Sequence, residues 1–140
     1  MDRLLEFALN HWLLVSAFLF IAGWLLYSLL SDKIQGIQSV SPIEATALLN
    51  HEDAVVIDVR ETHEFNEGHI LNALHIPLAS LTERVAKLQK HKNNSIIINC
   101  QSGYRSVHAC KQLQRQGFTK VYNLSGGILA WRNASLPIQK

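Results

Sequence analysis

Hydrophobic and polar positions follow two different rhythms along this chain. From Trp12 to Leu30 nineteen residues run without a charge. As a helix rising about 1.5 Å per residue they cover roughly 28 Å, the thickness of a bilayer's hydrocarbon core. Beyond residue 40 the pattern breaks into short alternating units. Ser41-Pro42-Ile43-Glu44 combines a capping serine, a proline at the first helical position and a glutamate that closes a capping box, which predicts a helix to about Asn50. Ala54–Val59 is an apolar run of strand length, followed by a turn with a short helix around Glu64 that Gly68 breaks. Asn72–Ile76 reads as a second strand stopped by Pro77, and Leu81, Val85 and Leu88 mark one face of a helix. Ser95–Asn99 is a β-branched strand, and Val107–Leu113 has the spacing of an amphipathic helix that stops at Gly117. Val121–Leu124 is a fourth strand, and Gly126-Gly127 opens a last helix through Trp131. Strands alternating with helices imply an α/β domain with a parallel sheet covered on both faces. In such sheets, sites form beyond the carboxyl ends of the strands.

The uncharged segment favours an uncleaved membrane anchor. It is longer than the ~7–15 apolar residues of a signal peptide, no small-x-small cleavage site follows it, and Asp2 and Glu6 stand beside Arg3 before it. A buried core helix fits less well still, because the run is apolar all round. Trp12, Trp24 and Tyr27 lie toward its ends, as interface residues do. The expected organisation is a flank (1–11), a transmembrane helix (12–30), a polar linker (31–38) and a domain (39–140).

The chemistry concentrates at Cys100-Gln101-Ser102-Gly103-Tyr104-Arg105-Ser106, between the third strand and its helix. There several backbone N–H groups lack intrahelical partners and the helix dipole is positive. Curled around Cys100, with the charge of Arg105 added, they form an anion nest that lowers a thiol's pKa and makes it a nucleophile. A reactive thiolate fits a reducing compartment. Flanking charge is sparse (Arg3 before the segment, Lys33 after it), so this argument is what places the domain on the cytoplasmic side, at a bacterial inner membrane.

The second cysteine, Cys110, lies about 9 Å along the helix, beyond the ~7 Å at which a bridge to Cys100 forms without backbone movement. It shares a helical face with Val107 and Leu113 and reads as a packed core thiol. His63, His69 and His75 recur every six residues without metal-ligand spacing and read as ordinary polar positions; no metal and no cofactor is expected. Charge is lopsided: seven acids and one base (Arg60) from Glu44 to Glu67, then one acid and ten bases from Glu83 onward. The basic half carries the reactive loop, so it is either a rim that attracts small anions or a solvated helix surface. Its aromatics are not interleaved with the bases, which excludes a nucleic-acid module. The chain's 140 residues leave room for one modest domain besides the anchor.

Three blocks together resemble the rhodanese family of sulfurtransferases: Asp58-Val59-Arg60-Glu61-Thr62-His63-Glu64-Phe65-Asn66-Glu67-Gly68-His69-Ile70 with Asn72-Ala73 and Ile76-Pro77; the Cys100 loop; and Leu124-Ser125-Gly126-Gly127-Ile128-Leu129-Ala130-Trp131. The resemblance covers roughly Ser39 to Leu136. It implies a three-layer α/β domain with a parallel sheet of about five strands, and a cysteine that accepts sulfane sulfur as a persulfide and passes it to a thiophilic acceptor. Four residues separate Cys100 from Arg105, the loop length of sulfurtransferases; related phosphatases and arsenate reductases carry five.

On this resemblance Cys100 is the nucleophile, and the N–H groups of Gln101, Ser102, Gly103, Tyr104 and Arg105 cradle sulfur or a donor's anionic group. Arg105 holds an anionic donor or the loop itself, and Ser106 caps the helix. Asp58 and Arg60 border the pocket or serve a structural pairing such as Arg60 with Glu64, and His69 is structural. Arg105 is the loop's sole cation, so a protein or low-molecular-weight persulfide stands beside thiosulfate as the donor. Two functions remain open: a membrane-anchored single-domain sulfurtransferase, and a membrane-tethered adaptor or sulfur-carrier module acting mainly by protein binding.

Overall fold

The structure, a computed structural model, describes residues 1–34 and 36–140, the side chains of 31–34 excepted. It divides into two compact units, Met1–Gly36 and Ile37–Lys140. The first holds helices α1 (Asp2–Asn10) and α2 (Trp12–Ile34). Its stretch Trp12–Leu30 is long and apolar enough to cross a membrane, and its large side chains, Leu13, Phe20 and Trp24 among them, are exposed. Within the polar stretch 31–38, α2 continues to Ile34 and a strand begins at Gln38, while Gln35 lies outside the described residues.

The second unit runs β1 (Gln38–Val40), α3 (Pro42–His51), β2 (Val55–Asp58), α4 (Thr62–Glu67), β3 (His69–Ile70), β4 (Leu74–His75), α5 (Leu81–Leu88), β5 (Ile96–Asn99), α6 (Tyr104–Arg115), β6 (Val121–Leu124), α7 (Gly127–Asn133) and β7 (Ile138–Gln139). Five strands form one parallel sheet in the order β1-β6-β5-β2-β4. The expected parallel α/β sheet is therefore present, with β1 as the strand that the hydrophobic pattern leaves hidden. A separate antiparallel pair, β3 with β7, ties His69 to Gln139 and Ile70 to Ile138.

Alternation along the strands builds two cores. Ile57, Ile96 and Ile98 face α5 and α6, packing on Leu81, Val85, Leu88, Ala109, Cys110 and Leu113. Val56 and Ile97 face the other way and pack with Ala45 of α3 and with Ile128 and Trp131 of α7. Both faces of the sheet are thus covered, which is why the central strands read as unbroken apolar runs. The predicted cap of α3 is formed: Ser41 Oγ accepts from Glu44 N at 3.2 Å, and Ser41 N donates to Glu44 Oε2 at 2.7 Å. The register sets Asp58 beside Asn99 at the carboxyl ends of β2 and β5. Cys100 follows at once.

Candidate active site

The loop between β5 and α6 is held from behind by the amino end of α7. Ile128 N donates to Cys100 O at 2.9 Å and Leu129 N to Gln101 O at 3.3 Å. Both carbonyls are thus engaged by α7. Gly103 N donates to Cys100 Sγ at 3.0 Å. Gly103 has φ +94 and starts the turn into α6; a Cβ there would stand 3.2 Å from Gly126 N. The predicted tight curvature at Gly103 is accounted for by this left-handed backbone and close approach.

Cys100 itself is 1 % exposed, so its sulfur sits recessed in the loop. Ser106 Oγ lies 3.3 Å from Sγ and donates to Asn123 Oδ1 of β6. The expected role of Ser106 as a helix cap is not what forms. Gly103 holds the cap position, and Ser106, buried in the first turn of α6, joins the cysteine to Asn123. Its hydroxyl has one proton and two neighbours: it accepts from a thiol while donating to Asn123, or turns that proton toward a thiolate.

Arg105 turns away from a purely anion-binding role. Its Nη1 and Nη2 donate to the two oxygens of Glu64 at 2.8 and 2.7 Å. Glu64 also accepts from Glu61 N at 2.9 Å. The Arg105 hydrogen bonds hold the Glu64 carboxyl down at about 2. In turn those bonds, and in smaller part the charges of Glu64 and Cys100, raise the Arg105 guanidinium above its ordinary value. Of the two roles open for Arg105, the geometry supplies the one that fixes the loop, here to α4.

The pairing expected between Arg60 and Glu64 is absent. Arg60 instead forms a buried ion pair with Asp58 (Nη2 to Oδ2, 2.8 Å) and donates to Gly68 O at 2.7 Å. Asn99 Nδ2 adds a bond to Asp58 Oδ2 at 3.2 Å. The correction has a simple cause: Asp58 and Arg60 leave the same strand end two residues apart and meet without crossing solvent, whereas Glu64 faces the Cys100 loop. Asp58 and Arg60 are buried, so they brace the carboxyl end of β2 and its neighbours.

Two of the histidines are packed rings. His69 and His75 stack on Phe65 with centroids 3.7 and 4.3 Å away. His69 Nδ1 donates to Phe65 O, and His75 Nε2 donates to Arg60 O. Burial pushes the Cys110 thiol up to about 12, which keeps it protonated and matches the core position read from its spacing.

Sequence reasoning passed over Asn99 and Asn123, and it named Glu64 without its partner Arg105. Asn99 and Asn123 carry a faint signal, since each is a lone amide in or next to the last position of a mostly apolar strand, Ile-Ile-Ile-Asn and Val-Tyr-Asn-Leu. A cavity of about 600 Å³ between α3, Trp131 and Pro137 opens beside Val55, at the amino end of β2. It lies at the opposite end of the strands from Cys100.

Comparison with known proteins agrees with this geometry. Residues 41–134 match the family described as the rhodanese-like domain. The chain is 29 % identical over 139 residues to the uncharacterized protein YibN of Escherichia coli K12, covering 99 % of this chain and 97 % of that one. It is 38 % identical over 91 residues to a sulfurtransferase of Allochromatium vinosum, covering 65 % of this chain and 83 % of the relative. The crystal structure of a rhodanese-related protein from Thermoplasma volcanium superposes with a TM-score of 0.66 at 26 % identity, over 73 % of this chain and 97 % of the other. With a parallel five-stranded sheet, a cysteine loop at its carboxyl edge and a family match over residues 41–134, the chain belongs to the rhodanese-like family.

Proposed function

We infer that this chain is a membrane-tethered, single-domain sulfurtransferase in which Cys100 carries sulfane sulfur. In the first half-reaction the Cys100 thiolate attacks the sulfane sulfur of a donor; the Sγ–S bond forms while the donor's bond to that sulfur breaks with its electron pair. In the second, a thiophilic acceptor attacks the outer sulfur and the pair returns to Sγ. The observation that carries this reading is the Gly103 N–H donating to Cys100 Sγ inside a loop with four residues between cysteine and arginine. Such a donor favours the anionic sulfur needed at both steps. The sulfurtransferase among its relatives supports it. The uncharged helix Trp12–Leu30 supports tethering, and the reducing requirement of a free thiolate favours the cytoplasmic face.

Covalent transfer through Cys100 requires ping-pong kinetics. With the full chain in detergent micelles, varying donor at several acceptor concentrations gives parallel double-reciprocal lines, and Cys100→Ser lowers turnover to the background rate. Intersecting lines, or turnover that survives Cys100→Ser, would exclude this mechanism. The recessed sulfur, 1 % exposed, favours a second reading, a membrane-tethered adaptor. In that case Cys100→Ser keeps the biological function of the chain.

A further inference from the structure

Glu64 occupies the side of Arg105 that would grip an oxyanion. Both Nη groups of the guanidinium point at its carboxylate, at 2.8 and 2.7 Å, and Glu61 N anchors that carboxylate at 2.9 Å. The pair sums to no net charge, and Glu64 stays ionised at neutral pH because its carboxyl is held at about 2. From Gln101 to Ser106 the loop has no other charged side chain. Thiosulfate is a dianion that shares its charge between the sulfur it gives up and the oxygens of the neighbouring group, and it releases sulfite with two charges, so its transfer calls for a free cation beside the loop. An organic persulfide places a carbon skeleton there and releases a single thiolate. Tyr104, next in the loop and 75 % exposed, offers an aromatic face to such a skeleton.

We propose that the sulfur donor for Cys100 is the persulfide of an organic thiol, and that Glu64 sets this choice by engaging Arg105. The inference rests on the sulfurtransferase reading and names its substrate class. The Cys100 thiolate attacks the outer sulfur of R–S–SH; the new Sγ–S bond forms, the donor's S–S bond breaks, and the electron pair leaves on R–S⁻. The proton stays with the transferred sulfur, giving Cys100–S–SH, and no further oxidant or reductant takes part. Glu64 is a specificity-determining residue that acts through Arg105.

The test measures sulfur loading of the full chain in detergent from three donors. These are thiosulfate, the persulfide of N-acetylcysteine amide for a small-thiol source, and a persulfidated cysteine peptide without acidic side chains for a protein-borne one. The wild type loads from the better persulfide with a kcat/KM at least about a hundredfold above that for thiosulfate, and which persulfide leads identifies the source. Glu64→Gln keeps the side-chain shape and removes the charge that neutralises Arg105, so the thiosulfate-to-persulfide ratio of kcat/KM rises about tenfold or more, a shift of ~1.4 kcal/mol. Adding Arg105→Gln abolishes that gain. Sulfate, an unreactive dianion, inhibits Glu64→Gln more strongly than wild type.

Thiosulfate preferred by the wild type, or a ratio unmoved in a folded Glu64→Gln, overturns the proposal. If that variant does not fold, the wild-type donor preference decides alone. Loading from none of the three donors instead overturns the sulfurtransferase reading beneath it.

Discussion

Gly127→Ala tests whether α7 builds the reactive loop. Gly127 has φ +58, and an added Cβ would overlap Cys100 O and stand 2.7 Å from the carbonyl carbon of Gln101. Alanine in the left-handed region costs about 1–2 kcal/mol. Forcing extra volume into a packed contact adds about 1–3 kcal/mol. Separating α7 from the loop loses the Ile128 N–H bond to Cys100 O, worth about 1 kcal/mol. The expected loss is about 3–6 kcal/mol, a large share of the ~5–15 kcal/mol that stabilises a typical domain. The assay is urea unfolding of the full chain in detergent, carrying Trp12→Phe and Trp24→Phe so that buried Trp131 is the sole reporter. With a slope of about 1.5 kcal/mol per molar urea, the midpoint falls by about 2–4 M. Gly117→Ala is the control: its φ is +91, yet its Cβ would meet only the movable end of Lys92 at 3.2 Å. It pays the left-handed strain alone and shifts by about 1 M. Equal shifts for the two variants would refute the claim that α7 presses on the loop.

Other consequences follow from the same contacts. Arg60→Met strands a buried Asp58 carboxylate and costs about 3–5 kcal/mol in the same unfolding assay, while Asp58→Asn with Arg60→Met costs less than Arg60→Met alone; a larger loss for the double variant would contradict the pairing. The Cys110 thiol, pushed up to about 12 by burial, resists iodoacetamide at about pH 8 in the folded chain and is labelled after unfolding in urea, as mass mapping of the two samples reads. The Glu64 carboxyl is lowered from 4.5 to about 2 in the folded state. Its pair with Arg105 therefore contributes stability that is complete above about pH 4.5 and is lost as pH falls toward 2. The stability gap between wild type and Glu64→Gln is accordingly flat from about pH 5 to 8 and narrows below 4.5; a gap that widens in acid would show that the carboxylate is not what Arg105 stabilises.

The fold was legible wherever local physics decides. The Ser41–Glu44 capping box, the apolar strands through Ile57 and Ile97, and the Gly117 stop each carry their signal within a few residues. β1 stayed hidden because its three residues, Gln38, Ser39 and Val40, bury only the last, and pairing with β6 rather than propensity makes them a strand. The position of Cys100 at a strand's carboxyl end was legible too. The partners of the charged residues were not. Arg60 was given to Glu64 on sequence proximity, yet tertiary packing brings Arg105 to Glu64 across forty-one positions and leaves Arg60 to Asp58. Ser106 looked like a cap because serine near a helix start commonly is one; the left-handed Gly103 takes that place and turns Ser106 inward.

The central claim is that Cys100 accepts sulfur, and intact-mass spectrometry of the full chain tests it most directly. After incubation of the reduced protein with an organic persulfide, the account predicts a gain of one sulfur atom, reversed by reductant, discharged by cyanide and missing from Cys100→Ser. A folded, reduced chain that gains no sulfur from any sulfane donor, or that gains it equally in Cys100→Ser, would contradict the account.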